Sequence, residues 1–323
     1  MKILIMTPQA EFNQNQQTQL AKIGTINYTK NRDEYPSEKL LKLCKGSQII
    51  GADPDNLGGF ERAKSQLTKI IDRLPSLKGI ALASTSTEWI DLKLCRKKKI
   101  IVTNIPHYST ESVAEHTVGL LICLAKNIII NDRKFWSGKE SKFGSGPGFE
   151  LKGKTLGVIG VGSIGSRVAE LAQAIGMRVI AYNRSLKKQK GVIMKSLNYV
   201  LSQSDALSIH LGCNKQTHHF ISKKEITHMK KGVIIVNLIG PVPPEQEVVD
   251  KKAMSRALKM GKVAFYAYEG EDLTNNPLSK AENAIGLKGF AWYTKDALDR
   301  AKKIWVDNIV GLTKNKPINS ISY

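Results

Sequence analysis

The stretch GVIGVGSIGSRVAELAQAIGMRVIAYNRS, Gly157 to Ser185, constrains this chain more than any other. TLGVIG reads as a β-strand that stops at Gly160. Gly162 and Gly165 complete a G-x-G-x-x-G turn, a helical pattern follows as far as Gly176, and RVIAYN reads as the next strand. Each glycine has a separate task in such a unit. Gly160 allows the tight turn, Gly162 lets backbone approach a pyrophosphate, and Gly165 lets the helix lie close on the strand, with its positive end toward the anion. Ser163 and Ile164 fall inside the turn. The turn alone is weak evidence, but strand, turn, helix and strand in register predict a dinucleotide site. The alternative is a glycine-rich turn that holds no ligand.

The unit ends in Asn183-Arg184-Ser185. An acidic residue at this tip would bind the ribose 2′-hydroxyl of NAD and repel a 2′-phosphate. Asn183 does not repel it, and Arg184, Ser185, Lys187 and Lys188 are donors, so NADP(H) is expected over NAD(H). A basic surface loop is the competing reading.

Elsewhere short apolar runs alternate with helical patterns. KILIM, SQIIGA, LKGIALA and IIVTN read as strands, with helices between them such as Ser37–Cys44 and Lys64–Arg73. This rhythm predicts an α/β fold with parallel sheets covered on both faces. Ser109 to Ile128 reads as one long buried helix, with Ser109 or Thr110 as its cap, followed by a Gly/Ser/Lys loop over 137–148. Composition shifts place one domain at 1–104 plus 295–323 and the dinucleotide domain at 105–294.

The 323 residues carry a formal charge of +21, which favours anionic partners. The lysines are scattered and lack aromatic interleaving, and no helix-turn-helix, zinc-finger or RNA-binding signature is present, so nucleic acid is not the expected partner. Cys44, Cys95, Cys123 and Cys213 stand far apart, which suits a reducing cytosol and argues against a zinc site. The apolar stretch Val118–Ile130 is interrupted by Lys126 and Asn127 and is too short for a membrane span.

Several segments, in order, resemble the D-2-hydroxyacid dehydrogenase family: VTNIPHYSTESVAEHTVGLLICLAK, LKGKTLGVIGVGSIGSRVA, SDALSIHLGCNKQTHHFIS, MKKGVIIVN, VDKKAMSRALKMGK and AWYTKDAL. The resemblance implies two doubly wound parallel-sheet domains with a cleft between them. It also implies a homodimer formed through the long helix, and hydride transfer between a nicotinamide and carbon 2 of a hydroxy or keto acid. It further implies cofactor contacts at Thr117, Ile164, His210, Thr217 and Leu238. The segment ASTSTEW would meet substrate, with Ser84, Thr85 and Ser86 adding hydroxyls where glycines are common; Tyr108 is a further substrate-side candidate.

The resemblance breaks at the catalytic residues. The family's proton-carrying histidine falls on Gly289, a position fixed by the following Ala291-Trp292-Tyr293-Thr294. The carboxylate-clamping arginine, in a pattern like N-x-x-R-G, should follow Asn237, yet Leu238, Ile239 and Gly240 stand there, before a lengthened loop holding Pro241, Glu245 and Glu247. The partner glutamate fits Glu271 if a gap follows Lys262, which puts Tyr266 in place of an aspartate near the nicotinamide. Without the gap, Glu269 takes that aspartate's place. Losing a positioned acid costs about 10²–10⁴-fold in rate. Two readings remain. One is an NADPH-dependent reductase of a C=N or activated C=C substrate, with Lys288 as replacement acid, ahead of Tyr293, Tyr266 and Tyr108. The other is a catalytically silent NADP(H)-binding sensor or scaffold.

Overall fold

The computed structural model describes residues 1–139, 146–185, 189–240, 246–270 and 276–322. The chain forms two compact units, Met1–Tyr108 with Lys295–Tyr323, and Ser109–Thr294. The chain leaves the first unit at 108/109 rather than near 105, because Ile105 is buried in that unit's core and Tyr108 packs against it.

The first unit contains β1 (Lys2–Ile5), α1 (Gln14–Ala21), β2 (Thr25–Tyr28), α2 (Ser37–Cys44), β3 (Ile49–Ala52), α3 (Gly59–Asp72), β4 (Gly79–Leu82), α4 (Leu92–Lys97) and β5 (Ile101–Thr103). The strands pair in parallel in the order β2-β1-β3-β4-β5. β1, β3 and β4 are almost wholly buried, as continuous apolar strands of a two-face-covered sheet should be. Helix α3 starts five residues before the expected Lys64, behind the left-handed pair Gly58-Gly59.

The second unit holds α5 (Thr110–Ala125), α6 (Ile128–Trp136), β6 (Thr155–Ile159), α7 (Ser163–Ala174), β7 (Arg178–Tyr182), β8 (Ile193–Met194), α8 (Leu197–Gln203), β9 (Ala206–Ile209), α9 (Lys223–His228), β10 (Val233–Asn237), α10 (Lys251–Lys259), β11 (Val263–Glu269) and β12 (Ala284–Leu287). Its parallel sheet runs β12-β11-β10-β9-β6-β7-β8. One face packs on α5 and α7, the other on α8, α9 and α10. The expected single helix Ser109–Ile128 is two. It ends at Ala125, Asn127 turns left-handed at φ 56°, and α6 departs at 63°. Ser109 stands at its N-cap position, but its side chain makes no capping hydrogen bond. Among the described residues no single helix is long and apolar enough to cross a membrane.

The chain then returns to the first unit as α11 (Lys295–Thr313). Trp305, Val306, Ile309 and Leu312 of this helix join Ile3, Ile5, Phe12, Ile49 and Ala81 in one core cluster, and the Trp305 indole N–H donates to the Ala81 carbonyl at 2.9 Å. Trp305→Ala is expected to destabilise the first unit by about 3–5 kcal/mol, the usual cost of deleting a buried aromatic. Denaturant unfolding followed by tryptophan fluorescence measures it, and a loss below about 1 kcal/mol would show that α11 is not part of that core.

Candidate functional site

The order of the second sheet reverses at β6: the chain proceeds outward to β7 and β8, then crosses back to β9 on the other side. In open parallel sheets this switch point, at the carboxyl ends of the strands, is where ligands bind. Gly160 and His210 leave β6 and β9 there. Gly160 has φ 94°, and a β-carbon on it would stand 2.3 Å from the His210 carbonyl oxygen. A β-carbon on Gly165 would stand 2.0 Å from the Gly160 carbonyl oxygen. At Gly162, by contrast, no atom of the described residues outside the glycine and its neighbours lies within 4 Å of that place, and the residue is exposed. Helix α7 begins from this glycine, which has no side chain to cap it, so the helix's positive end lies at the exposed corner of the turn. Ser163 is exposed beside it, while Ile164 packs partly into the core. These residues fit a dinucleotide's pyrophosphate.

At the tip of β7, the Asn183 side chain accepts the Val161 N–H at 3.1 Å and donates to the Ser185 carbonyl at 2.9 Å. Arg184 is exposed and donates to Gln216 at 2.8 Å. Gln216 lies in a turn that Thr217 closes, its hydroxyl donating to the Gly212 carbonyl at 2.7 Å. Thr217 is therefore engaged in shaping a loop. Lys187 and Lys188 lie outside the described residues. Thr117 is wholly buried in α5, and its hydroxyl donates to the Val113 carbonyl at 2.7 Å. Leu238 is half-buried against the α5 and α7 face.

His210 keeps some exposed surface, yet its ring lies deep enough that burial pushes its pKa down to about 4. Nε2 of this neutral ring shares a 2.5 Å hydrogen bond with the Ser208 hydroxyl. On the neighbouring strands Asn237 ends β10 and Glu269 ends β11. The Asn237 amide donates to the Tyr266 hydroxyl at 3.0 Å. Tyr266 is buried in the core, and burial pushes its phenol well above the ordinary value, so it cannot face substrate as an acid. Glu269 is buried; one carboxyl oxygen accepts the Ala291 N–H at 2.8 Å, and desolvation raises its pKa against the help of that bond and of the Phe290 N–H.

The replacement acid Lys288 is exposed, with its ammonium 5.5 Å from the Phe290 ring centroid. The burial such a role needs is missing. Tyr293 is exposed as well. Glu247 pairs with Lys251, so it is not a free negative group, and Glu271 and Glu245 lie outside the described residues. Glu269 therefore stands out as a chemically distinctive carboxylate that the sequence offered only as an alternative register. The signal for it was its position as the last residue of VAFYAYE, at the carboxyl end of a parallel strand.

In the first unit, Ser84, Thr85 and Ser86 follow β4. Ser84 donates to the Ser86 carbonyl and accepts the Trp89 indole N–H, both at 2.8 Å; Thr85 donates to the Ile105 carbonyl at 3.1 Å; Ser86 bonds Glu88. Ser84 and Ser86 brace their own loop, and Thr85 ties it to the segment after β5. Tyr108 is half-buried on the unit's core, and its carbonyl accepts from Arg300 at 2.9 Å. The carboxyl end of β3 carries an acid that sequence reasoning missed. Asp53 is buried, 3.1 Å from the Arg32 guanidinium, which is also forked onto Glu11. Burial pushes Asp53 up to about 6, with Arg32 opposing.

The model of the D-isomer-specific 2-hydroxyacid dehydrogenase NAD-binding domain matches residues 118–287. The chain belongs to the D-isomer-specific 2-hydroxyacid dehydrogenase family. It is 31% identical over 271 residues to a hydroxypyruvate reductase of Blautia hydrogenotrophica, covering 79% of this chain and 81% of that one. It is 34% identical over 262 residues to a D-3-phosphoglycerate dehydrogenase of Archaeoglobus fulgidus, covering 78% of this chain but spanning only 48% of that relative. The solved structure of an acyclic imino acid reductase in complex with NADPH and D-Arg superposes with TM-score 0.83 over 100% of both chains at 24% identity, a likeness of fold.

Two outcomes follow from this geometry. Gly165→Ala forces a β-carbon against the Gly160 carbonyl, so nicotinamide dinucleotide binding should weaken more than about tenfold in a fluorescence titration. Unchanged binding would mean that this close packing does not shape the cradle. For Asp53, the native-state pKa is raised, so the stability gained from its protonation is full below about pH 4 and is lost as pH rises through 6. The stability difference between Asp53→Asn and the parent should widen in the variant's favour between about pH 4 and 7. Chemical denaturation across that range measures the slope, and a flat difference contradicts it.

Proposed function

We propose that this chain is an NADP(H)-dependent reductase acting on a C=N or activated C=C bond rather than on a 2-keto acid, and that it works as a homodimer. The observation that carries the reading is the contrast between a complete glycine cradle at 160–165 and glycines at 240 and 289, where the family resemblance places the carboxylate clamp and the proton carrier. A bound reduced nicotinamide supplies hydride. Ketone reduction then needs a proton delivered to oxygen, and neither exposed Lys288 nor core-buried Tyr266 is placed to give it. A protonated imine needs no such delivery: hydride adds to carbon, the π pair moves to nitrogen, and an amine leaves with the oxidised cofactor.

Arg184 and Ser185 favour the phosphorylated cofactor, since both are exposed beside the cradle and no carboxylate stands at the tip of β7 to repel a 2′-phosphate. Exposed Ile128, Phe135 and Trp136 on α6 support a dimer surface.

NADPH should bind at least about tenfold more tightly than NADH, and Arg184→Asp should remove the preference. Purified protein should oxidise NADPH with cyclic imines or enones. It should leave pyruvate, glyoxylate, hydroxypyruvate and 2-ketoisocaproate almost untouched. Rapid turnover of any of these keto acids would refute the reading, and tight NADPH binding without oxidation across the whole panel would favour a silent sensor or scaffold instead.

A further inference from the structure

The geometry points to Glu269 as the group that selects substrate by a positively charged nitrogen, at the position where the family resemblance expects a guanidinium. The inference rests on the reductase reading and sharpens its substrate class to cations.

Glu269 ends β11 between β10 and β12, with Leu287 as its register partner. Its place is fixed from two directions. One carboxyl oxygen accepts the Ala291 N–H, and Ala291, itself buried, accepts the Ser112 hydroxyl of α5 at 2.6 Å. That oxygen is thereby tied to the segment that carries Gly289. The other oxygen, Oε2, looks toward Gly240: it lies 3.9 Å from where a β-carbon of residue 240 would stand, and among the described residues no other atom outside Gly240 and its chain neighbours comes within 4 Å of that place. The carboxylate thus spans the two positions whose functional side chains are replaced by glycine.

Among the described residues no lysine, arginine or histidine forms an ion pair with Glu269, and Lys288 is exposed, its ammonium near the Phe290 ring. A buried carboxylate without a counter-ion is costly, and burial raises its pKa accordingly. A ligand that brings an ammonium or iminium N–H to Oε2 removes that cost. A ligand carboxylate at the same place adds like-charge repulsion. Where the family resemblance places a cation, the described group nearest a side chain at residue 240 is an anion.

The test is calorimetric titration of the protein saturated with NADP⁺, using pyrrolidinium chloride and sodium cyclopentanecarboxylate as matched probes. Pyrrolidinium should bind at least about tenfold more tightly than the carboxylate. Glu269→Gln keeps an acceptor for the Ala291 N–H and removes the charge; it should weaken pyrrolidinium about 10- to 100-fold. Gly240→Arg, which answers the charge from the protein and covers the case of a glutamine variant that does not fold, should reverse the preference. Unchanged pyrrolidinium affinity in Glu269→Gln, a wild-type preference for the carboxylate, or no binding of pyrrolidinium overturns the assignment. If no imine or enone is reduced yet pyrrolidinium binding depends on Glu269, the reductase reading falls and this one stands. If imines are reduced with a KM that Glu269→Gln does not alter, the reverse holds.

Discussion

The Gly160 carbonyl oxygen lies where a side chain at residue 165 would put its first carbon, and the His210 carbonyl crowds Gly160 in the same way. These two close approaches set the functional end of the second unit. They bring α7 onto β6, hold β9 beside the turn and leave Gly162 as the open corner. The cofactor cradle depends on backbone being this near to backbone, which only the absence of side chains permits.

Around that fixed corner the polar groups divide by burial. His210 is held neutral by desolvation, and Tyr266 is locked into the core. Glu269 is buried with one carboxyl oxygen on the Ala291 N–H, and among the described residues it forms no ion pair. Among these described groups it is the Glu269 carboxylate, held by a backbone N–H, on which the proposed recognition of a cation rests.

The sequence was most informative where backbone geometry dictates residue type. The turn at Gly160–Gly165, helix Ser37–Cys44 and the alternating strands were legible because glycine spacing and apolar runs record the backbone directly. The break at Asn127 was less so: an asparagine adopts the left-handed conformation at little cost, and the apolar run continues through it. Side-chain roles were least legible. Thr117 and Thr217 share a residue type, yet one hydroxyl is used up inside a helix and the other closes a turn. Lys288 was proposed as a replacement acid, yet it and its neighbour Phe290 are exposed. Asp53 and Arg32 meet across 21 residues of separation, with no motif to announce them.

Helix α11 completes the first unit's core although the whole second unit intervenes in the chain. During synthesis the segment 109–294 has all its strands in hand before α11 emerges, so it can close as an independent folding unit. The first 108 residues must wait, with Ile3, Ile5, Phe12 and Ala81 uncovered on one side of their sheet. A nascent chain of this protein therefore passes through a stage in which its older portion is the sticky one, and a holding chaperone or slow translation near residue 300 would matter most at that moment.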